Sequence, residues 1–305
     1  MDLGVALIVL MQAASGGGLG GARPSECGTD GLKVANPWER AKEPQLRKYC
    51  ELIARGTSRL VGTGSGAGDV VAIADEADKM LPGRAAPGIL RGRAYLKLNK
   101  PTEALAALVE AKKRDDRALD DPVALLAWAR ANARTGHLDE AAQAYRAALP
   151  RTSALVASER AGASFEAGMI VMAQGTKGVD DAVAMFRQAR RDAQDAMQVA
   201  SVVALALALD RSAQKDEAKA VLAERVRTDS KAILGDARVI ESLTNAGVAH
   251  ESDALVAISL EPVDAAAARE SWKKYLEGPG GKGPWADHAR AHEGAGGAAK
   301  PAKPR

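Results

Sequence analysis

Residues 121–150 read DPVALLAWARANARTGHLDEAAQAYRAALP. Leu125, Trp128, Ala129 and Asn132 recur at helical spacing. A break follows at Thr135-Gly136, and Leu138, Ala141, Tyr145 and Ala148 then recur in the same way. Alanine, leucine and arginine favour helix throughout, and glycine suits the end of the first segment. The stretch therefore predicts two antiparallel amphipathic helices joined by a glycine turn. The small side chains of Ala141 and Ala148 let helix axes approach closely. One such hairpin cannot bury its apolar stripe alone, so it needs neighbours of the same kind.

The neighbours are present in phase. The preceding unit has Gly92 and Tyr95 on its first helix, and Ala104, Leu108 and Ala111 on its second. One unit further back only the end matches, at Ala77 and Pro82. The following units give Ala182, Phe186 and Ala189, then Leu205, Ala206, Ala218 and Leu222, then Ala268, Trp272 and Tyr275. From Ala77 to Ala111 is 34 residues, from Ala111 to Ala148 is 37, and from Ala148 to Ala189 is 41. A long helix is expected over 154–173, before the loop Gly175–Gly178. Lys231 to Asn245 reads as an extra helix or a diverged unit.

This pattern resembles the tetratricopeptide repeat, in the form found in secreted and periplasmic bacterial proteins. The signature residues are Gly92, Tyr95, Ala104, Ala111, Trp128, Gly136, Ala141, Tyr145, Ala148, Ala182, Phe186 and Ala189. The resemblance implies an all-α fold, a right-handed superhelix of stacked hairpins over residues 50–278. It also implies a concave groove, lined by the first helices, that holds partner peptides. Residues 279–292 are expected to form a C-terminal capping helix, with Pro284 at its first turn and Trp285 covering the last hairpin. Tyr275 stands where inner units carry alanine, so no further close-packed hairpin is expected there.

Composition agrees with an all-helical chain. The 305 residues are 47% hydrophobic but 3% aromatic, and 42 Lys+Arg against 39 Asp+Glu leave a net charge of +3. That balance excludes a strongly basic nucleic-acid binder. Val5 to Met11 is a short apolar run, followed by small residues up to Ala22. It reads as a cleaved signal peptide over 1–22, with Ser15 or Ala22 as its last residue, although its head lacks Lys and Arg. The run is too short to span a bilayer. An extended segment is expected over 23–49, and residues 293–305 read as a disordered tail. Cys27 and Cys50 are the two cysteines, and a secreted or periplasmic chain with an even count is expected to pair them.

The candidate catalytic patterns in the sequence are each incomplete. The glycine cluster Gly62 to Gly68 lacks the Lys-Ser/Thr of a phosphate loop. His250-Glu251 lacks the second histidine of a zinc-protease helix. His288 and His292 lie four apart, but two ligands do not make a structural zinc site, and they read as surface residues. No catalytic residue, cofactor, metal or small-molecule substrate is therefore expected.

The informative pattern is a repeated charge. Arg93 and Arg130 occupy equivalent places on their first helices, as do Lys97 and Arg134 one turn later. The resemblance places these four in the groove as a basic ladder suited to an acidic segment, since arginine can grip a carboxylate twice. The family's carboxylate-clamp places hold Ile89 and Leu126 instead, which argues for apolar partner contacts there or for the 154–173 helix lying in the groove. The sequence thus points to a non-enzymatic adaptor of the cell envelope that binds another protein. The alternative is a structural subunit that assembles through its end hairpins, marked by an exposed apolar patch. Exposure of all four ladder residues would favour the adaptor.

Overall fold

In the computed structural model the described residues are Pro24, Cys27, 37–61, 66–225 and 230–294. Among them all secondary structure is helical, so the all-α expectation holds. The helices are α1 (Pro37–Val61), α2 (Ala67–Met80), α3 (Ala86–Lys97), α4 (Pro101–Arg114) and α5 (Pro122–Arg134). Then follow α6 (Leu138–Ala148), α7 (Ala157–Ala173), α8 (Val179–Asp192), α9 (Asp195–Arg211) and α10 (Lys215–Arg225). The last are α11 (Ser230–Leu234), α12 (Ala237–Asn245), α13 (Glu251–Leu260), α14 (Ala265–Glu277) and α15 (Ala286–Gly294).

Consecutive helices pack in pairs: α1 with α2, α3 with α4, α5 with α6, α7 with α8, α9 with α10, and α13 with α14. Each pair also touches the next, through α2 on α3, α4 on α5, α6 on α7 and α8 on α9. After α10 the order changes. Helix α13 packs on α9, while α12 lies against α5, α7 and α9. The expected extra helix at 231–245 is therefore two short helices, and the second lies on the first helices of earlier pairs.

Local chemistry sets the boundaries. The Asp121 side chain accepts from the Ala124 N–H at 3.0 Å, and Pro122 opens α5 where no N–H is needed. Gly136, at φ +85°, ends α5, and the His137 N–H then reaches the Asn132 carbonyl at 2.9 Å. Asn99 does the same for α3 at φ 58°, with the Lys100 N–H on the Tyr95 carbonyl.

The repeated small residues are contact points. A Cβ on Gly92 would lie 2.6 Å from Leu108 Cγ, and one on Gly168 would lie 2.7 Å from the Phe186 ring. Ala104, Ala111, Ala141, Ala148, Ala182 and Ala189 are all fully buried, as are Tyr145 and Phe186. Phe186 meets Phe165 edge-on at 5.9 Å. Tyr95 and Trp128 are half-buried against the core between α4 and α5, and Lys112 stands over the Trp128 ring at 5.6 Å.

Several expectations need correction. The segment expected to be extended to residue 49 is helical from Pro37, with Pro44 inside α1. Good helix formers from Glu39 to Glu43 outweigh the single proline. Tyr275 is not at an open end. It is 2% exposed, and a Cβ on Gly280 would meet its ring at 2.4 Å. The glycine turn after α14 folds onto the tyrosine and brings α15 against α14. Trp285 reaches past the last pair, and its Nε1 donates to the Met172 carbonyl of α7 at 2.7 Å. The expected leader at 1–22, Gly62 to Ser65 of the glycine cluster, and residues 295–305 of the tail lie outside the described residues. Among the described residues no helix is long and apolar enough to cross a membrane.

Cys27 and Cys50 are joined, which ties Cys27 to α1. Closing a loop of 23 residues in the unfolded chain is worth about 3 kcal/mol. Cys27→Ser with Cys50→Ser should therefore lower the stability by about 3 kcal/mol in urea unfolding. Mass spectrometry of the unreduced wild type should show the linked peptide pair.

A second clamp joins three helices. Asp78 on α2 accepts from Arg91 on α3 at 2.7 Å and from Arg114 on α4 at 2.6 Å. Burial acts to raise the Asp78 pKa, but the two guanidiniums outweigh it and hold the carboxyl below its ordinary range. The unfolded chain therefore takes up this proton first. The resulting stability is complete above the ordinary aspartate pKa of about 4 and is lost as pH falls. Asp78→Asn should flatten the acid limb: its urea midpoint should fall less than the wild type's between neutral and acidic pH.

Candidate functional site

The repeat brings Arg93 and Lys97 of α3 and Arg130 and Arg134 of α5 to one face of the first helices, and α12 covers part of that face. Arg130 is anchored from below. Its Nε and Nη2 donate to the two oxygens of Glu166 on α7, at 2.8 and 3.1 Å. The Glu166 side chain is 2% exposed. Its Oε2 also accepts from the Tyr145 hydroxyl of α6 at 2.7 Å, and its Oε1 from Asn245 Nδ2 of α12 at 3.1 Å. Burial disfavours the charged guanidinium, yet Glu166 and Tyr145 outweigh it and raise the Arg130 pKa. Burial and the same carboxylate push the Tyr145 phenol well up.

The other basic residues differ in their partners. Arg134 donates to the Leu96 carbonyl at 3.0 Å and to Asn99 Oδ1, both at the end of α3. Lys97 meets Glu241 of α12 at 3.2 Å, with both side chains exposed. Arg93 is half-buried and has no hydrogen bond or ion pair among the described residues. Burial lowers its pKa; Asp121 and Glu159 pull the other way, and Arg130 adds to the depression. Beside it, Glu159 Oε2 is buried without a hydrogen-bond partner, and burial raises the Glu159 pKa against the pull of Arg130, Arg93 and Lys97.

The four residues are therefore not a uniformly exposed ladder. Only Lys97 is exposed. The reason lies one repeat further on: Glu166 stands 36 residues after Arg130, so the register runs arginine, arginine, glutamate. Extending the register by one unit was the signal that could have found it. Leu126 is a core residue at 4% exposure, and Ile89 is half-buried against the core between α4 and α5. Of the stretch expected to be helical from 154, Ala157–Ala173 forms α7, the first helix of its own pair, while Ala154 ends a 3-10 turn from Leu149; α12 is the segment that lies on the face. Gly247 permits this passage: at φ +67° it comes so close that a Cβ would be 2.3 Å from the Ala133 carbonyl oxygen.

A second polar centre lies between α9 and the C-terminal helices. Arg211 is fully buried, donates to Glu251 at 2.9 Å, and has its guanidinium 5.0 Å from the Trp285 ring centre. The Tyr275 hydroxyl donates to the other Glu251 oxygen at 3.0 Å, and burial together with that carboxylate raises the phenol pKa. Next to it, Asp210 Oδ2 lies 2.7 Å from His288 Nε2 and 2.8 Å from His292 Nε2. His292 Nδ1 faces Glu261 at 2.6 Å, and Trp272 Nε1 donates to that same Glu261 oxygen at 2.8 Å. The two histidines are thus not surface residues, at 18% and 16% side-chain exposure. Burial acts to raise the Asp210 pKa, but the histidine hydrogen bonds hold it well below the carboxylate range. For His292, burial acts downward, and the bonds to Asp210 and Glu261 raise it to about 9. Sequence spacing gave the His288/His292 pair; Asp210 is 78 residues away and carries no local signal.

No protein-family model matches the chain, and no curated protein matches it.

Removing Glu166 would leave Arg130 without its counter-charge. Glu166→Ala should cost about 3 kcal/mol in urea unfolding followed by circular dichroism. Arg130→Met combined with Glu166→Met should be less destabilised than Glu166→Ala, because no unpaired charge remains.

Proposed function

We propose that the chain is a helical-repeat adaptor of the tetratricopeptide type, its hairpins stacked in a right-handed superhelix. It holds an acidic segment of another envelope protein on the first-helix face and has no chemistry of its own. The paired packing of consecutive helices supports the superhelix. The Cys27–Cys50 bond supports a periplasmic or secreted location, since such bonds persist in oxidising compartments. Among the described residues the large exposed apolar side chains are Leu98 after α3, Ile240 on α12 and Val263 between α13 and α14. That scatter gives no favour to assembly through an apolar end.

One observation carries the reading. Arg93 is a half-buried guanidinium on this face with no ion pair among the described residues. A cation held in that state gains more from a partner's carboxylate than a solvated one, because its desolvation is already spent. Arg130 and Arg134 are already engaged in holding the fold, so Arg93 with Lys97 at its edge is the point of contact.

The test is affinity capture from the native envelope with wild type and Arg93→Glu in parallel, followed by anisotropy with the captured partner's acidic segment. The variant should bind at least tenfold more weakly, with unchanged helicity. Reversing Arg130 is not informative, since it would set glutamate against Glu166. Equal binding by the variant, or recovery only of the chain itself, would overturn the adaptor reading.

A further inference from the structure

We propose that Asp210, His288 and His292 form a binding site for a divalent transition-metal cation of the zinc class. One carboxylate and two imidazoles from two elements converge on one point. Their ligand atoms all lie within 4.8 Å of one another. His288 and His292 share one face of α15, with ring centres 4.6 Å apart. Asp210 comes from the last turn of α9 and offers the same oxygen to both rings.

The geometry leaves room for a cation with small adjustment. Tetrahedral zinc with bonds of about 2.0–2.1 Å separates its ligand atoms by about 3.3 Å. The present Nε2–Oδ2 distances are 2.7 and 2.8 Å, so each must open by about half an ångström. Side chains move that far without any change of backbone.

Charge and tautomer point the same way. His292 faces a carboxylate with each ring nitrogen, Asp210 at Nε2 and Glu261 at Nδ1. A neutral ring has one N–H, so one of the two contacts needs a further positive charge. With Nδ1–H on Glu261, Nε2 presents its lone pair toward Asp210, and a cation completes the contact. Glu261 then holds the ligating ring from behind, and Trp272 Nε1 holds Glu261. His288 Nδ1 has no hydrogen-bond partner, so on metal binding it takes the ring hydrogen that Nε2 now directs at Asp210. Two carboxylates and two neutral imidazoles carry two negative charges, which match a divalent ion. A nitrogen-rich set selects zinc, cobalt, nickel or copper over calcium or magnesium. Three protein ligands leave a fourth position for water. A bound cation would fasten α15, which supplies two ligands, to α9, which supplies the third.

The experiment uses the full chain, stripped with chelator and titrated with cobalt(II) chloride, then zinc chloride. One equivalent of cobalt should give a visible d–d band, and zinc should bleach it. Zinc should also raise the melting temperature of the wild type. His288→Gln with His292→Gln should abolish both signals. Changing the chain's other two histidines, His137→Gln with His250→Gln, should leave them intact. Glu261→Gln should weaken binding by about tenfold to a hundredfold. Zinc-induced shifts of the His288 and His292 ring resonances in the wild type test the site without any substitution. Absence of stoichiometric binding would leave only a protonated cluster and overturn the proposal. Binding that survives the paired histidine change would place the ion elsewhere and overturn it equally.

Discussion

The structure depends on burying the charge of Glu166. A carboxylate at 2% exposure is tolerable only when its oxygens are fully used. Here the donors come from α5, α6 and α12: Arg130 twice, Tyr145 and Asn245. Two adjoining helix pairs and the later segment must therefore arrive together. The surrounding interfaces are rich in alanine, and such surfaces fit one another in more than one register. A polar contact that works in a single arrangement separates the native one from its neighbours in energy. Glu251 repeats the solution at the other end, with an arginine and a tyrosine on the two carboxylate oxygens.

This arrangement decides what the first-helix face can offer. Helix α12 takes the middle of it, fixed through Asn245 and the exposed Lys97–Glu241 pair. An exposed pair of that kind contributes roughly 0–1 kcal/mol, so the hold on α12 comes from Asn245 and from packing. What remains outside α12 is the end near α3, where Arg93 and Glu159 Oε2 are both without a hydrogen bond. The part of the face left outside α12 is shorter than the repeat alone would provide.

The sequence was most legible where interactions are local and periodic. Gly92 against Leu108 and Ala141 and Ala148 in the core follow from spacing within one hairpin and its neighbour. The two cysteines had one way to pair within the chain. What escaped was contact that leaves the period. Arg130 and Glu166 obey the repeat, but a change of charge sign at one register position hid the pairing. The segment holding Asn245 has no repeat register, so nothing in its spacing says that it returns to α5 and α7. Asp210 lies at the end of an apolar helix, where an aspartate reads as a solvated terminus. Its histidines come from a different helix, after the repeat has ended.

The two polar centres are coupled through shared helices. Helix α7 carries Glu166 and also the Met172 carbonyl that receives Trp285. Helix α9 carries Asp210 and Arg211, and α12 packs on both α7 and α9. Trp285 lies over Arg211, whose Nε and Nη1 have no hydrogen-bond partner, so the ring face supplies the attraction those nitrogens lack. Seating α15 therefore does more than cover an apolar end. It compensates a buried cation on α9 and fixes the end of α7, the two helices against which α12 rests. Order at the C-terminal helix and order at the first-helix face draw on the same pair of supports. A tie between α15 and α9 at Asp210 would bear on α12 through α9, while Trp285 bears on it through both α7 and α9.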